Sequence, residues 1–479
     1  MFTDIPSLSL SPGHLIVWRA SAPHMPEAPW MADSRRPSHT QEALIRYALD
    51  TAGEGPLPPS WLGCAFDLPA GLDADAFAAA LRNWTDRHET LRSQLMFSAH
   101  STPDSRLLRV TLPPGTVTIY PSEATNFRDS RKLAQYIENL FDREIGPLGW
   151  PGYICATISN ADATTVCVVA DHTLIDGYSI LGIPHEIHTL YAAALATSDS
   201  KPAPPLPPTA SYLDFAETER NAADALTIDH ESVISWQQFV TKVGGHLPVF
   251  PEPVSAQSGN PTTAQPGGHA ELLDASSART FDQVCRAAGG ATFSGLLSCL
   301  AKVGHEITGS GEFRTMVPFH TQTGPWRSSI GWFVGMGPVA FSLSATSSFA
   351  ETVRSAVAGL NGVKELAQIP LPRVAELLGQ PLRDPFMISY MDLRRTPGAR
   401  NWNTWRAIAL RSRCTDPDEV CLWVWRNYDG LFVSYRHPAT DLAGIAVPRY
   451  VARTKQLLAV VADTSCWLAN PHSKEECCS

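Results

Sequence analysis

The amino-acid sequence predicts an α/β protein with mixed sheets, divided into two domains. A chain of 479 residues is longer than one hydrophobic core usually supports, so two domains of roughly 200 residues each are expected. The proline-rich segment 201–208 predicts a stiff, extended connector, which places one domain over residues 1–205 and the other over residues 206–479. Amphipathic helices alternate with short apolar strands on both sides of this connector.

The first elements along the chain are short. Residues 15–18 form an apolar island in a region rich in proline and serine, and we interpret this island as a strand or a docking segment. A helix over residues 40–52 and a strand over residues 61–68 follow.

The clearest helix comes next. Its apolar positions recur at helical period, and Asp73 and Asp75 near its start suit the positive end of the helix dipole. These positions are Leu72, Phe77, Leu81, Trp84, His88 and Leu91. The helix ends in the segment Arg87–Arg92, and periodicity alone predicts an amphipathic helix with a charged outer face.

A predicted hairpin then leads into the segment with the strongest candidate for a catalytic residue. Residues 153–159 and 164–170 are apolar runs rich in β-branched residues, and the turn-forming residues 160–162 join them. The second strand runs directly into His172–Gly177. An amphipathic helix over residues 180–191 follows.

The second half is predicted to be α/β as well. Residues 247–268 carry Pro, Gly, Ser and Gln and are expected to cross the surface without regular structure. Asp429–Gly430 is a strong hairpin signal between the last two strands. Helices are expected over residues 277–288, 293–307, 347–367 and 447–463, and strands over residues 313–319, 333–343, 386–390, 405–411, 420–426 and 431–437.

Composition excludes several functional classes. The formal net charge of −10 argues against nucleic-acid binding, which normally requires a basic stripe. Most cysteines lie in apolar segments, as reduced core cysteines do, and the absence of a C-x-x-C pair argues against a metal site. Cys477 and Cys478 lie in a polar tail that makes no prenylation box. No apolar run is long enough to span a membrane, so we expect a cytoplasmic protein.

His172 is the strongest candidate for chemistry. It lies where an apolar strand ends, and histidine is the side chain best suited to move a proton near neutral pH. Asp176 and Gly177 follow in the same tight turn. A turn histidine satisfied by hydrogen bonds is the alternative, and the residues alone leave it open.

Two motifs together resemble a known superfamily. The H-x-x-x-D-G segment, His172–Gly177, resembles the active-site motif of acyltransferases typified by chloramphenicol acetyltransferase, which include the condensation domains of peptide synthetases. The segment Arg87–Arg92 is similar to the R-H-x-x-L-R signature of condensation-type members. Residues 330–335 are similar to a second superfamily signature, and together with residues 387–392 they resemble polyketide-synthase-associated acyltransferases over roughly residues 10–465.

The resemblance implies two chloramphenicol-acetyltransferase-like lobes with a tunnel between them and His172 at its centre. His172 is expected to be the general base and transfer to be direct, without an acyl-enzyme. Asp176 is expected to hold the loop, and Gly177 to let the backbone approach the reacting centre closely. Gly331, Trp332 and Ser389 are expected to contribute to the tunnel or the second-lobe site.

Two positions depart from the pattern of the superfamily. Condensation domains carry a histidine where this chain has Asp171, which either tunes His172 or is a solvated turn residue. The arginine that usually pairs with the loop aspartate is absent from residues 317–323, so either Asp176 has another partner, with His320 and Gln322 as candidates, or the loop is held differently. Trp423, Trp425 and Tyr428 either pack in the sheet or line the tunnel.

The predicted activity is transfer of an acyl group from acyl-CoA, or from the phosphopantetheinyl thioester of an acyl carrier protein, to a hydroxyl or amine of a small-molecule acceptor. No tightly bound cofactor, metal, nucleic acid or integral membrane segment is expected, and the protein is expected to be a monomer. The alternatives are a stand-alone condensation enzyme that joins carrier-bound substrates by an amide, and a non-catalytic docking protein.

Overall fold

A computed structural model describes residues 2–23, 29–98, 106–196, 205–242, 244–255, 263–383 and 385–467. Residues 201–204 of the predicted connector and the two cysteines 477 and 478 lie outside the described residues. Over the described ranges the chain forms seventeen strands and eleven α-helices.

The strands are short, and many are apolar on alternate or all positions, as expected for sheets covered by helices. They are β1 (Phe2–Thr3), β2 (Gly13–Ser21), β3 (Met31–Asp33), β4 (Trp61–Pro69), β5 (Ser93–Phe97), β6 (Leu107–Thr111), β7 (Thr118–Pro121), β8 (Thr125–Phe127), β9 (Tyr153–Ser159), β10 (Ala163–Asp171), β11 (Gly267–Asp274), β12 (Glu312–His320), β13 (Val334–Ser342), β14 (Phe386–Asp392), β15 (Ile408–Arg411), β16 (Val420–Arg426) and β17 (Gly430–Arg436).

Most helices begin at a side chain that caps the first turn, such as Ser38, Asp73 and Thr440. They are α1 (His39–Ala52), α2 (Ala74–Arg87), α3 (Ser130–Glu144), α4 (Ile183–Leu195), α5 (Tyr212–Asp224), α6 (Glu231–Thr241), α7 (Ala275–Ala287), α8 (Thr292–Thr308), α9 (Phe349–Gly362), α10 (Leu371–Leu378) and α11 (Asp441–Thr464).

The first sheet leads into residues 172–178, here called the His172 loop, and mixes strands from both halves of the chain. Its order is β1-β15-β4-β10-β9-β2-β7, with β8 also paired to β2. β15 comes from residues 408–411, pairs antiparallel with β4 and parallel with β1, and so returns from the second half into the first sheet. The predicted domain boundary at residue 205 stays a prediction.

The second sheet has the order β11-β17-β16-β14-β12-β13, and a small sheet has the order β3-β6-β5. β14 is parallel to both β12 and β16, whereas the other pairs of the second sheet are antiparallel. Both large sheets are therefore mixed and backed by helices, which confirms the predicted fold class.

The hydrophobic core is divided between the two lobes and continues across their junction. Alternate residues of β10 enter separate clusters on the two faces of the first sheet, one packed on α2 and α4 and the other on α3. The cluster on the α2 and α4 face also takes Ile330 from the second half, with Met391 and Trp423 packed against it. This face is where the lobes meet.

Several element boundaries differ from the sequence-based expectation. The last helix begins at Asp441 and contains Pro448, because Thr440 caps its start and the buried residues beyond the proline keep the helix packed. The helix expected over 347–367 ends at Gly362 and is followed by a separate 3-10 turn at Leu366–Gln368. The elements that the pattern did not predict are α3, α5, α6, α10, β1, β3, β5, β6, β7, β8 and β11.

Among the described helices none is both long and apolar enough to cross a membrane by itself. The pair Ala275–Ala287 and Thr292–Thr308, bent by 91°, passes the same test of length and composition as a pair.

Candidate functional site

The His172 loop, residues 172–178, begins where β10 ends and is anchored from both sides. The His172 backbone N–H donates to the Ser60 carbonyl at 2.9 Å and so extends the ladder between β10 and β4. At the other end the loop passes into a short 3-10 turn, Ser179–Leu181, that leads into α4.

Asp171 fixes the start of this loop. It is fully buried and accepts hydrogen bonds from the Thr173 backbone N–H at 2.9 Å, the Thr173 hydroxyl at 2.6 Å and the Ser60 hydroxyl at 2.6 Å. Burial raises the pKa of the Asp171 carboxyl. The interpretation of Asp171 as a solvated turn residue is therefore wrong.

His172 is held in one tautomer and one orientation. Its Nδ1 lies 2.9 Å from the Ile175 carbonyl, which can only accept, so Nδ1 carries the proton and Nε2 keeps its lone pair. The ring stacks on Trp332, with centroids 4.1 Å apart and planes at 25°. Burial lowers the pKa of His172 below its ordinary value of 6.5, which favours the neutral imidazole at neutral pH.

Asp176 joins the loop to the second lobe through backbone amides. It is buried, and its Oδ1 accepts from the N–H groups of Tyr178 and Ser179 at 3.0 and 2.7 Å. Its Oδ2 accepts from the Phe333 N–H at 2.8 Å. Three amide donors thus compensate the buried carboxylate without an arginine.

Neither candidate partner of Asp176 is confirmed, because His320 and Gln322 bond to other groups in the described structure. His320 Nε2 lies 2.7 Å from Gln322 Oε1, and Gln322 Nε2 donates to the Ser329 carbonyl. Both candidates were side chains, whereas the long-range partner of Asp176 is the backbone N–H of Phe333, 157 residues further along the chain.

Gly177 packs against the N-terminal strand. A Cβ atom at this position would lie 3.2 Å from Cζ of Phe2, so the Phe2 ring occupies the space beside the loop. The close approach of the Gly177 backbone to a substrate stays a prediction.

The segment Ile330–Phe333, here the Trp332 segment, is held by three side chains of the first lobe. Ile330 N–H donates to His88 Nδ1 at 3.3 Å, Gly331 exchanges hydrogen bonds with the Ser179 hydroxyl at 3.0 and 3.3 Å, and Phe333 N–H donates to Asp176. A Cβ on Gly331 would lie 2.3 Å from Tyr212 Cδ2, so only glycine fits. Gly331 therefore contacts the turn that follows the His172 loop and Trp332 contacts His172 itself, while their role in a tunnel or second-lobe site stays a prediction.

The Arg87–Arg92 segment is largely buried: His88, Thr90, Leu91 and Arg92 are buried, and Arg87 and Glu89 are partly exposed. α2 ends at Arg87, and His88 is 3% exposed and donates from Nε2 to Glu186 Oε2 at 2.7 Å. Arg87 Nε and Trp84 Nε1 donate to the same carboxylate at 2.9 and 3.1 Å. Burial raises the pKa of Glu186, but His88 and Arg87 more than offset this, and the net shift is downward.

Glu186 and Gln41 are site-supporting residues that sequence reasoning missed. Glu186 lies between Ile183 and Ile187 on the buried face of α4, and a charged residue in that position was the available signal. Gln41 is fully buried and donates from Nε2 to the Thr173 carbonyl at 2.6 Å. Its capping box with Ser38 identifies the start of α1 but gives no sign of that long-range contact.

Ser389 is less closely connected to His172. It is buried on β14 beside Trp423 of β16, and the described residues show no hydrogen bond from Ser389 to the His172 loop. Trp423 itself reaches the loop indirectly, because its ring lies 5.8 Å from Phe2, the neighbour of Gly177. A tunnel through this region stays a prediction.

Of the other two aromatic candidates, Trp425 is buried in a cluster against which Tyr178 of the His172 loop packs, and Tyr428 lies on the surface. Trp425 stacks on Phe432 and belongs to a core cluster with Leu181, Leu393 and Trp402. Tyr428 is exposed and lies under Arg400. In the described ranges no group of three or more His, Cys, Asp or Glu side chains is arranged to hold a metal ion.

Comparison with protein families gives a match across the junction of the two lobes. A model described as the Condensation domain matches residues 62–389, which is more than half of the chain. The matched range contains the His172 loop and the Trp332 segment.

Individual relatives are similar over most of the chain. Acyltransferase PapA3 of Mycobacterium tuberculosis is 25% identical over 465 residues, which is 95% of this chain and 95% of that protein. A Mycobacterium bovis protein named 2'-acyl-2-O-sulfo-trehalose (hydroxy)phthioceranyltransferase PapA1 is 27% identical over 372 residues, covering 77% of this chain and 69% of that one.

Solved structures show the same fold. A PapA2 acyl transferase superposes with a TM-score of 0.84 at 24% identity and covers 96% of this chain and 99% of its own. The condensation domain of the Monacolin K polyketide synthase MokA superposes with a TM-score of 0.70 at 15% identity over 90% of this chain and 98% of its own.

Proposed function

Because this chain belongs to the condensation-domain family and is an acyltransferase, we propose that it transfers an acyl group from a thioester to a hydroxyl of a small-molecule acceptor, with His172 as the general base that removes the proton of that hydroxyl. The observation that supports this role is the tautomer of His172. The Ile175 carbonyl holds the proton on Nδ1, which leaves Nε2 as the nitrogen able to accept one.

The proposed step balances without an outside reagent. Nε2 of neutral His172 takes the proton of the acceptor hydroxyl as its oxygen attacks the thioester carbonyl carbon. The tetrahedral intermediate collapses, the C–S bond breaks, and the departing thiolate takes the proton back from Nε2. The histidine is thus regenerated neutral, and the products are an ester and a free thiol.

The chain's own residues keep the base in place. Asp171 and Gln41 hold Thr173 next to His172, and Asp176 ties the far end of the loop to Phe333. Trp332 covers one face of the imidazole and restricts access of water to it. Each of these contacts reduces the number of positions that the base can adopt before reaction.

We propose an acceptor and donor of the following classes. Relatives of this chain carry the name acyltransferase, and one is named for an acylated, sulfated trehalose, which supports a carbohydrate or complex-lipid hydroxyl as the acceptor. The donor is acyl-CoA or an acyl carrier protein, since both present the same phosphopantetheinyl thioester. The reaction requires no tightly bound cofactor, and we place it in the cytoplasm with the protein as a monomer.

The test is single-turnover acyl transfer from a panel of thioesters on CoA and on carrier protein, with wild type, His172→Ala and His14→Ala side by side. His14 lies exposed on β2 and controls for loss of a histidine elsewhere in the first lobe. General-base catalysis contributes about 10²–10⁴-fold, so His172→Ala should lose that much and His14→Ala nothing. Equal rates in all three proteins would contradict the proposed base.

A stand-alone condensation enzyme is the second candidate, because the family model that matches is the Condensation domain. The same panel discriminates it from the leading proposal. Amide formation on a carrier-bound amine, with no transfer to a free hydroxyl, would assign condensation, whereas ester formation from a free acceptor would support the proposed acyl transfer.

A further inference from the structure

Arg411 is a buried guanidinium with few partners. It lies at the end of β15 and is 8% exposed. Within the described residues it forms no ion pair, Nη1 makes a single hydrogen bond of 3.5 Å to the Ser412 carbonyl, and Nε is buried without a partner. A buried cation in this state is costly, so a missing anionic or polar partner is expected.

A second arginine lies at the same place. Arg436 of β17 forms an ion pair with Glu419, and its Nε is also buried without a partner. Both guanidinium groups lie 5.4 Å from the centre of the Trp423 ring. Among the described residues the contacting carboxylate, Glu419, pairs with Arg436 and not with Arg411, and Asp4 acts on Arg411 only from further away.

The Arg411 side chain spans the junction between the lobes and reaches the surface of the second sheet. Its Nη2 would lie 3.1 Å from a Cβ built on Gly267, the exposed residue that pairs with Arg436. Burial and the charge of Arg436 lower the pKa of Arg411 to about 10. An anion bound between the two arginines would offset both the desolvation of the Arg411 charge and its repulsion by Arg436.

Arg411 lies on the α2 and α4 face of the first sheet, near the strand end that leads into His172. Ala409 and Ala170 enter the core cluster on this face, Arg411 follows Ala409 by two residues along β15, and His172 follows the end of β10. Arg411 is opposite Leu62, which is opposite Ala170, so Arg411 and the end of β10 are separated by two strand spacings, about 10 Å. Phe2 bridges the interval, since it contacts both Gly177 and Trp423.

We propose that Arg411, supported by Arg436, binds a phosphate or sulfate ester carried by one of the two substrates. Guanidinium groups recognise tetrahedral oxyanions through forked, charge-assisted hydrogen bonds, and a partly desolvated pair does so strongly. The source is the phosphate of the phosphopantetheine arm or an anionic ester on the acceptor. This assignment rests on the proposed acyl transfer, but binding can be measured without any turnover.

The binding test uses titration calorimetry with CoA and with pantetheine, which has the same thiol arm without phosphate. The proteins are wild type, Arg411→Gln and Arg400→Gln; Arg400 also lies over an aromatic ring, Tyr428, but is exposed on the second lobe. If the donor supplies the anion, Arg411→Gln should weaken CoA about 10–100-fold and leave pantetheine unchanged, with Arg400→Gln like wild type.

A second arm identifies an acceptor anion. Saturable stabilisation by millimolar inorganic sulfate, at constant ionic strength, should then be present in wild type and Arg400→Gln and lost in Arg411→Gln, while CoA affinity is the same in all three. Failure of Arg411→Gln to alter either CoA or sulfate binding would overturn the proposal. Should that variant not fold, Arg411→Lys, which keeps the charge but loses the fork, and Arg436→Gln provide the same readouts.

The binding test of Arg411 and the turnover test of His172 can succeed or fail separately. An inactive protein that still loses CoA or sulfate binding on substitution of Arg411 has the anion site without the reaction. A protein that transfers acyl groups through His172 but binds both probes equally in all variants has the reaction without this site.

Discussion

At the residue scale, the properties of His172 follow from what each part of its ring touches. The Nδ1 hydrogen bond to Ile175 selects the tautomer, and the stack on Trp332 shields one face of the ring. Burial disfavours the imidazolium ion, so the pKa is lowered although Asp176 and Asp171 act in the opposite direction. A lowered pKa keeps the base neutral, and therefore active, to lower pH.

Trp332→Ala should move the acid limb of the pH profile upward. Removing the indole exposes His172, so its pKa rises toward 6.5 and the protonated, inactive form appears at higher pH. We also expect a loss of about 10²-fold in kcat/KM from misplacement of the ring. The measurement is kcat/KM against pH for wild type, Trp332→Ala and Trp332→Phe, the last keeping an aromatic ring; an unchanged acid limb in Trp332→Ala would refute the shielding argument.

At the element scale, Glu186 connects α2, α4 and the Trp332 segment. Its carboxylate accepts hydrogen bonds from Trp84 and Arg87 of α2 and from His88 just beyond α2. The other ring nitrogen of His88 accepts a hydrogen bond from the Ile330 N–H. The resemblance in residues 87–92 thus has a physical basis in this chain, because these side chains position the segment that carries Trp332.

Glu186→Ala should destabilise the protein by about 3–5 kcal/mol, because it leaves buried Arg87 and His88 without their shared partner. Glu306→Ala is the matched control, since its ion pair with Arg453 is solvent-exposed and should contribute less than about 1 kcal/mol. Urea unfolding measures both free energies. Equal, small losses in the two variants would show that the Glu186 cluster does not support the fold.

At the scale of the whole molecule, the first lobe includes residues from the second half of the chain. β15 fills the position between β1 and β4 in the first sheet, although it comes from residues 408–411. The core cluster on this face needs Ile330 and Ala409 from the second half as well. The His172 loop is completed by Phe333 in the same way.

A fragment of residues 1–205 should therefore fail to fold cooperatively, because it lacks β15 and leaves the edge of β4 unpaired. The control is the full chain with a protease site inserted in the connector 201–208 and cut after folding, which should remain associated and active. Circular dichroism with thermal unfolding, and size exclusion for the cut protein, measure the two outcomes. A stable, folded 1–205 fragment would contradict this dependence.

The sequence by itself determined the fold class and the position of His172 at the end of a strand. These features depend on local periodicity and on motifs whose residues are close together in the chain. Such patterns can be recognised in the sequence without knowledge of the tertiary structure. The confirmed membership of the condensation-domain family follows from the same motifs.

Only the tertiary structure decided the partner of Asp176, the burial of His88 and Arg92 and the return of β15 to the first sheet. Asp176 bonds to a backbone amide, which every residue but proline has, so no residue type in the sequence identifies Phe333 as the partner. Glu186 and Gln41 act through contacts with residues 98 and 132 positions away. Their roles depend on which faces of the two lobes meet, and that is a property of packing rather than of local pattern.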